Sequence, residues 1–357
     1  MSILNDIEKI RETDPENLYN QIFDFPEQIE KAFKIADSFK IMSEDFAGIT
    51  NIAVIGMGGS AIGADLVGSF LSGKLLVPFQ VCRNYKLPEY IDDESLVIAS
   101  SYSGDTEETL SALDDAIERK AMIVGITTGG MMADVAGLNS IPLIIIPQGL
   151  QPRSALAYSF VILIILLEKI GLIKNASAEI KAVGQKLKGY RENYVEAVPI
   201  DKNMAKRLAQ RLTGTIPLIY SGPTLTDSVA YRWKCQICEN AKILSFANQF
   251  PEFNHNELVG YSDFLIENKD LFKVIFLRDQ DDHPQIKSRM DIVKGIIEEM
   301  EIEVIEIYSR GDQQLERMLS LIQLGDYLSY YLAIASNNDP SPIKIINSLK
   351  ELLSARK

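Results

Sequence analysis

Serine, threonine and glycine residues dominate one short stretch, SSYSGDTEET at residues 100–109, and these residue types suit the binding of an oxyanion such as phosphate. The stretch follows an apolar, strand-like run at residues 95–99 and opens into a helix-like run. Such a turn points free backbone N–H groups at one spot, in front of the positive end of the helix dipole. Gly104 lets the backbone come close. Three hydroxyl groups add donors: Ser101, Ser103 and Thr106. The simpler interpretation is that these hydroxyl groups only cap the helix.

A second Gly-rich turn, GMGGSAIGAD at residues 56–65, follows a buried strand at residues 51–55. Its glycine spacing only approximates the dinucleotide-binding fingerprint, which also requires an acidic residue at the end of the next strand. That strand, at residues 79–84, ends instead in Arg and Asn. Three residues of the turn can line an anion site: Gly58, Gly59 and Ser60. We therefore expect the two turns to share one small anionic ligand rather than a dinucleotide.

Other candidate reactive groups lie further along the chain. Arg153 begins a strongly apolar helix, so it is either a solvated cap or a group aimed at the strand ends. Glu239 closes a helix and enters an apolar run, where burial would raise its pKa toward the useful range of a general base. His255 lies in a polar loop, as a proton-transfer group or as a cap or surface residue. Cys235 and Cys238 are one helical turn apart without a second Cys/His pair, so no zinc site is predicted.

Composition excludes several classes of partner. The net charge of −13 argues against nucleic acid and anionic membranes, whereas phosphate can still be bound locally by N–H and hydroxyl groups. Apolar residues make up 46% and charged residues 24% of the chain, as in ordinary globular proteins. The three cysteines form no disulfide framework, the first residues lack a signal-peptide pattern, and the apolar run at residues 155–167 is too short to span a bilayer. These features predict a cytoplasmic protein.

Alternating strand and helix patterns predict an α/β fold with two doubly wound parallel sheets and helices on both faces of each. The strands are predicted at residues 51–55, 79–84, 96–100, 122–126 and 141–146 and, in a second cycle, at residues 216–220, 242–245, 272–277 and 303–307. The predicted organisation is an N-terminal helical segment (1–48), a first domain with the anion loops (49–174), a helical linker (175–200), a second domain (201–335) and a C-terminal helix (336–357). The second domain carries only a weak echo of the glycine turn, which suggests duplication with one site kept.

These pieces together resemble the bifunctional phosphoglucose/phosphomannose isomerase family, which is built from tandem sugar-isomerase (SIS) domains. The resemblance covers nearly the whole chain and is specific at four places: GMGGS at residues 56–60, SYSGDTEET at 101–109, QPR at 151–153, and ENAK at 239–242 with NHNE at 254–257. It implies a cytoplasmic aldose–ketose isomerase of glycolysis and gluconeogenesis. The enzyme would interconvert glucose 6-phosphate and mannose 6-phosphate with fructose 6-phosphate through a cis-enediol, without a cofactor or a metal.

The resemblance also implies residue roles. Ser60, Ser101, Ser103 and Thr106 would bind the sugar phosphate, and Gly58 and Gly59 would line the approach. For the chemistry, Glu239 would move a proton between C1 and C2, and Arg153 would stabilise the enediolate. His255, supplied by the other subunit of a homodimer, would open and close the sugar ring.

A lysine of the C-terminal helix would assist ring opening. Lys350 is the better match, and Lys344 competes for the role. Ser341 is the counterpart of the small hydroxyl residue that makes room for the mannose epimer.

Two rivals were weighed against this interpretation. A non-catalytic, sugar-phosphate-binding regulatory module would keep the four hydroxyl residues of the turns and would have no need of Glu239 or His255. A glutamine-dependent aminosugar synthase requires an N-terminal cysteine nucleophile, and the first cysteine here is Cys82, inside a predicted strand. We therefore reject the synthase and keep the regulatory module as the alternative.

Overall fold

Two parallel β-sheets organise the computed structural model, which describes residues 2–356. The first sheet contains β1 (Asn51–Ile55), β2 (Phe79–Cys82), β3 (Ser95–Ser101), β4 (Met122–Thr127) and β5 (Leu143–Ile145). The second contains β6 (Ile216–Ser221), β7 (Phe246–Gln249), β8 (Phe272–Arg278) and β9 (Val304–Tyr308). The strand orders are β2-β1-β3-β4-β5 and β7-β6-β8-β9, so both sheets are wound outward from the first strand of each. All neighbouring strands are parallel.

Fourteen α-helices occur within residues 2–356. They are α1 (Ile7–Thr13), α2 (Leu18–Phe23), α3 (Phe25–Ser38), α4 (Gly58–Leu71), α5 (Glu107–Glu118), α6 (Gly130–Leu138), α7 (Leu156–Lys169), α8 (Ala176–Arg191), α9 (Met204–Leu212), α10 (Asp227–Gln236), α11 (Asp263–Glu267), α12 (Pro284–Glu299), α13 (Gln314–Ala335) and α14 (Lys344–Ser354). A π-helical turn, Ile237–Ala241, continues α10. Short 3-10 turns include Pro152–Ser154 and Glu252–His255.

Each sheet is buried on both faces, as parallel sheets require. One face of the first sheet packs against α5 and α6, and one face of the second packs mainly against α12. The other two faces share one continuous core, to which α3, α4, α7, α10 and α13 contribute apolar side chains. The predicted α/β fold, with helices on both faces of two parallel sheets, is confirmed.

One predicted strand is wrong. The apolar run at residues 242–245 is not a strand, because Lys242 adopts a left-handed conformation with φ of 60° and Leu244 is 68% exposed. The strand lies four residues further on, as β7, a short edge strand with a half-exposed face.

The structure does not test the predicted domain boundaries, which remain predictions. The segment at residues 175–200 contains α8, and its buried residues Ile180, Val183 and Leu187 belong to the shared core.

Helices α4 and α10 connect the two halves. Near the end of α4, Ser69 Oγ donates a hydrogen bond of 2.9 Å to Asp227 Oδ1, at the start of α10. Further along α10, Arg232 donates a hydrogen bond of 3.1 Å to the carbonyl of Arg153, whose turn packs against the start of α4, so the two helices run in opposite directions. As a result, residues of the second half reach the carboxyl edge of the first sheet.

Candidate active site

The crevice at the carboxyl edge of the first sheet lies between β1 and β3. The chain leaves β1 toward β2 on one side, while β3 lies on the other, so the strand order reverses here. In open α/β sheets, ligands bind at such a switch point. We call the space between the loops that follow β1 and β3 the first crevice. Both of the anion-binding turns that the sequence predicts open onto it.

Hydroxyl groups of the two turns bind backbone N–H groups of the β3 turn and join the two turns. Ser60 Oγ accepts a hydrogen bond from the N–H of Tyr102 at 3.1 Å, which links the β1 turn to the β3 turn. Ser101 Oγ accepts from the N–H of Gly104 at 3.1 Å and donates to Thr106 Oγ1 at 3.0 Å. Ser103 Oγ accepts from a backbone N–H at 3.2 Å. The structure therefore brings all four of the predicted hydroxyl residues to one crevice.

The helices that begin at the first crevice have no side-chain caps within the described chain. Thr106 occupies the N-cap position of α5, yet its side chain makes no capping hydrogen bond there, and the same holds for Met57 at the start of α4. Thr106 therefore does not cap α5, contrary to the simpler interpretation that the hydroxyl groups only cap the helix. N–H groups at the starts of two helices remain without a side-chain cap, in the arrangement that suits an oxyanion.

Two glycines of the turns allow close backbone approach. A Cβ at Gly104, where φ is 78°, would lie 1.8 Å from the carbonyl oxygen of Gly129, so the β3 turn packs directly on the loop after β4. A Cβ at Gly59 would lie 2.5 Å from the carbonyl oxygen of Pro152. The start of α4 is thereby held against the 3-10 turn that carries Arg153.

Arg153 is not a solvated cap, because its side chain is only 3% exposed. Its guanidinium group donates hydrogen bonds of 2.6 Å to Asn240 Oδ1, 2.8 Å to the carbonyl of Pro340 and 2.7 Å to the carbonyl of Ser341. Its Nη1 also lies 3.9 Å from Glu239 Oε2. Burial lowers the pKa of Arg153, and the Glu239 carboxylate acts in the opposite direction. The result is a buried, fixed positive charge beside a carboxylate.

Glu239 lies in the π-helical turn Ile237–Ala241, which we call the Glu239 turn. Its side chain is 30% exposed and lines a cavity of about 530 Å³ together with Lys242 and the segment from Asn338 to Ile346. The neighbouring Asn240 is buried and joins Arg153 to Ser329, with a hydrogen bond of 2.9 Å to Ser329 Oγ. The expectation that Glu239 enters a strand is wrong, because the turn ends in a left-handed residue and no strand follows before β7.

The sequence patterns assigned no role to two residues of this site, Asn240 and Lys242. Asn240 orients Arg153, and Lys242 donates hydrogen bonds to the carbonyl oxygens of Glu239, Asn240 and Pro340 at 2.9, 3.1 and 3.0 Å. The signal was present as two polar residues, Asn240 and Lys242, next to Glu239 within ENAK. Their contacts could not be foreseen, because they reach segments about one hundred residues away.

His255 is not brought to this site by its own chain. It is exposed at the end of the 3-10 turn Glu252–His255, and among the described residues its side chain has no hydrogen bond or ion pair with Glu239 or Arg153. Its neighbour Glu257 faces another way and accepts a hydrogen bond of 2.6 Å from Tyr220.

The C-terminal lysines also lie apart from Arg153. Helix α14 has no buried residue, and Lys350 is exposed on it, whereas Lys344 lines the cavity beside Glu239. Ser341 is fully buried, its carbonyl accepts from Arg153, and its Oγ has no hydrogen-bond partner within residues 2–356. The structure thus places Ser341 and Lys344 closer to the Glu239 turn than Lys350.

Residues 2–356 hold no group of three or more His, Cys, Asp or Glu side chains that could bind a metal ion. Cys235 and Cys238 are free thiols that are partly exposed. None of the described helices is long and apolar enough to cross a membrane.

Known proteins resemble the chain over most of its length. A family model described as the bacterial phospho-glucose isomerase C-terminal SIS domain matches residues 201–353. A bifunctional phosphoglucose/phosphomannose isomerase of Caldicellulosiruptor bescii is 44% identical over 94% of this chain and 99% of the relative. The enzyme of the same name from Aquifex aeolicus is 34% identical over 91% of this chain and 99% of the relative.

A solved structure shows the same fold. A glucose-6-phosphate isomerase-like protein from Thermus thermophilus superposes with a TM-score of 0.64 at 19% identity, over 98% of this chain and 99% of that chain. At this level of identity the likeness concerns the fold alone.

Proposed function

Since the chain belongs to the family of bifunctional phosphoglucose/phosphomannose isomerases, we propose that the first crevice and the Glu239 turn form its active site. The protein is an aldose–ketose isomerase that interconverts glucose 6-phosphate and mannose 6-phosphate with fructose 6-phosphate. One observation carries the location of the site. Gly59 packs against Pro152, and the adjacent Arg153 lies 3.9 Å from Glu239, so the 3-10 turn that carries Arg153 links the start of α4 to the carboxylate.

The phosphate group of the substrate binds in the first crevice. Hydroxyl groups donate to its oxygens, together with the uncapped N–H groups at the starts of α4 and α5, while Gly58 and Gly59 line the approach. The hydroxyl groups are Ser60, Ser101, Ser103 and Thr106. Hydrogen bonds to a charged oxygen are about twice as strong as those between neutral groups, so the phosphate supplies much of the binding energy. This anchor lies away from the reacting carbons and positions them.

Glu239 is the base that moves the proton. In the open-chain aldose, its carboxylate takes the hydrogen from C2 as a proton and returns it to C1, while the hydroxyl proton of O2 passes to O1. Negative charge develops on the oxygens of the intermediate cis-enediolate. Arg153 is buried, held by four oxygen acceptors and already oriented, so it stabilises that charge without reorganising. This proton shift requires neither a cofactor nor a metal.

Ring opening requires a further proton-transfer group. We assign that role to His255 of the partner subunit in a homodimer, because His255 is exposed and makes no hydrogen bond or ion pair with Glu239 or Arg153 of its own chain. Lys350 assists ring opening, with Lys344 as the competing candidate because it already lines the cavity beside Glu239. Ser341, whose backbone carbonyl accepts a hydrogen bond from Arg153 and whose side chain is buried, provides room for the mannose epimer.

We place the enzyme in the cytoplasm, in glycolysis and gluconeogenesis. The three cysteines are free thiols, which fits a reducing compartment. Its substrates are the phosphorylated hexoses of carbohydrate metabolism.

The test is the Glu239→Gln variant in a coupled assay with fructose 6-phosphate. We expect kcat to fall about 1,000-fold, because the amide cannot accept the proton, while KM stays close to that of the wild type. Glu267→Gln, at an exposed glutamate of α11, is the matched control and should have wild-type rates. Unchanged turnover in Glu239→Gln would remove the assigned base, and a wild-type protein that binds the sugar phosphate without turnover would identify the regulatory module.

A further inference from the structure

Lys242 makes an unusual set of contacts directly after the Glu239 turn. Its backbone is left-handed, which turns the side chain back over the end of the helix. From there Nζ donates three hydrogen bonds, to the carbonyl oxygens of Glu239, Asn240 and Pro340, at 2.9, 3.1 and 3.0 Å. An ammonium group has three N–H donors, and all three are used.

The first two acceptors belong to the end of a helix, where carbonyl groups lack intrahelical partners. Lys242 satisfies them, and its positive charge also suits the negative end of the helix dipole. The third acceptor, Pro340, lies 98 residues further along the chain and is shared with Arg153, which donates to the same carbonyl at 2.8 Å. The ammonium group therefore joins the Glu239 turn to the backbone segment that also orients Arg153.

We propose that Lys242 is a positioning residue for the isomerisation, which fixes the Glu239 turn against the Pro340–Ser341 segment so that the carboxylate and the Arg153 guanidinium keep their relative geometry. The inference rests on the proposed role of Glu239 as the base. Lys242 itself transfers no proton in this account. Without the ammonium group, the turn would lose its direct hydrogen bond to Pro340 and keep only the contacts through Arg153 and Asn338, so Glu239 would be held less firmly at the reacting carbons.

The charge of Lys242 gives the proposal a pH dependence. Burial, followed by the neighbouring Arg153, lowers the pKa of the Lys242 ammonium to about 8, and three carboxylates oppose that shift: Asp339, Glu239 and Glu16. The ammonium form is complete below this pKa and is lost as the pH rises through about 8. A neutral amine has two donors for three carbonyl oxygens, so the tie weakens in alkaline solution.

The first test is Lys242→Met, which keeps most of the side-chain length and removes the donors. We expect kcat to fall about 30-fold while KM for fructose 6-phosphate changes less than threefold, because the phosphate-binding turns are untouched. A purely structural role would instead lower the fraction of folded enzyme, which a thermal melt of the same preparation measures. The matched control is Lys234→Met on α10, whose ammonium lies 5.3 Å from the centre of the Tyr231 ring, and it should have wild-type kinetics.

Lys242→Arg provides a second test that keeps the charge and does not depend on the Met variant folding. In the wild type, kcat/KM should decline above about pH 8, whereas the guanidinium stays charged and removes that decline up to about pH 10. Wild-type kcat in Lys242→Met, or an unchanged alkaline decline in Lys242→Arg, overturns the proposal. Glu239→Gln measured in parallel separates the two claims, since full activity there refutes the assigned base whatever the lysine variants do.

Discussion

The two halves of the molecule have the same strand order around their central strands, but different chemical groups line the crevice that this order creates. In the first half, the loops after β1 and β3 place neutral hydroxyl groups and uncapped helix starts around the first crevice. In the second half, β6 and β8 occupy the corresponding positions, and we call the space between their loops the second crevice. A carboxylate of the chain itself occupies it.

The carboxylate belongs to Asp282, which lies in the loop after β8. A Cβ at Gly222, in the loop after β6, would lie only 2.2 Å from Asp282 Oδ1. Asp282 Oδ2 accepts a hydrogen bond of 2.9 Å from the N–H of Asp279, and Asp279 in turn forms a buried ion pair of 2.9 Å with Arg317. The backbone N–H of Asp279 in this loop and the Arg317 side chain of α13 are therefore already paired with acidic residues of the same chain.

This difference shows that strand order creates a crevice and loop chemistry decides what it can bind. A hydroxyl group can donate or accept and carries no charge, so it can turn toward a phosphate when one arrives. A carboxylate is an acceptor only and repels a phosphate. The second crevice, which has only a weak echo of the glycine turn, thus holds the Asp282 carboxylate where the first crevice would bind a ligand.

Among variants that compare the two crevices, the largest effect is expected from removing the hydroxyl groups of the first crevice. Ser101→Ala combined with Thr106→Ala should raise KM for fructose 6-phosphate about 100-fold or more, because each lost hydrogen bond to a charged oxygen costs roughly 1.5–3 kcal/mol. Steady-state kinetics measure the change. The matched pair in the second half, Ser221→Ala with Thr226→Ala, should leave KM within twofold of the wild type. A similar rise in both double variants would abolish the distinction between the crevices.

A smaller effect is expected at the glycines. Gly59→Ala would push against the backbone of Pro152, which cannot move without shifting Arg153, so kcat/KM should fall about tenfold and stability by roughly 1–3 kcal/mol. Gly222→Ala meets only the end of the Asp282 side chain and should keep wild-type kcat/KM. Kinetics and urea unfolding of the two variants measure both quantities. Equal kinetic losses would mean that the second crevice also takes part in catalysis.

The smallest effect concerns the internal carboxylate. Burial raises the pKa of Asp282 from 3.8 to about 6; the hydrogen bond from the Asp279 N–H opposes this shift, and the Asp279 carboxylate adds to it. The folded state therefore holds this proton more tightly than the unfolded state, and the stability contribution of the group declines as the pH rises from about 4 to 6. Asp282→Asn should be more stable than the wild type at pH 7, by roughly 1–2 kcal/mol after allowance for solvent screening. The difference should shrink as the pH falls toward 4. Urea unfolding at both pH values measures it, and a difference that grows on acidification would contradict this assignment.

The sequence predicted the elements that local pattern determines. Alternating apolar strands and helices gave the fold class, and eight of the nine strands lie where the pattern put them, within a few residues at each end. The exception is β7, whose residues Phe246–Gln249 are half polar because the strand lies at the edge of the sheet. The pattern instead predicted a strand in the more apolar run before it, at residues 242–245, although Leu244 is exposed to solvent.

The residues of the candidate site also divide into those that local sequence pattern identifies and those that it does not. Ser101 and its neighbours were found because the hydroxyl groups, the glycine and the helix start are contiguous in the chain. The sequence left the orientation of Arg153 open, since its acceptors include Pro340, 187 residues away. The contacts of Lys242 and the Asp282 carboxylate in the second crevice were likewise beyond local pattern, because they exist only once distant loops have packed.

A crystal structure of the enzyme with fructose 6-phosphate tests the central claim most directly. We predict that the phosphate lies in the first crevice, within hydrogen-bond distance of Ser60, Ser101 and Thr106, with the Glu239 carboxylate against C1 and C2 of the sugar. A phosphate bound beside Gly222 instead, or a Glu239 carboxylate directed away from those carbons, would contradict the account.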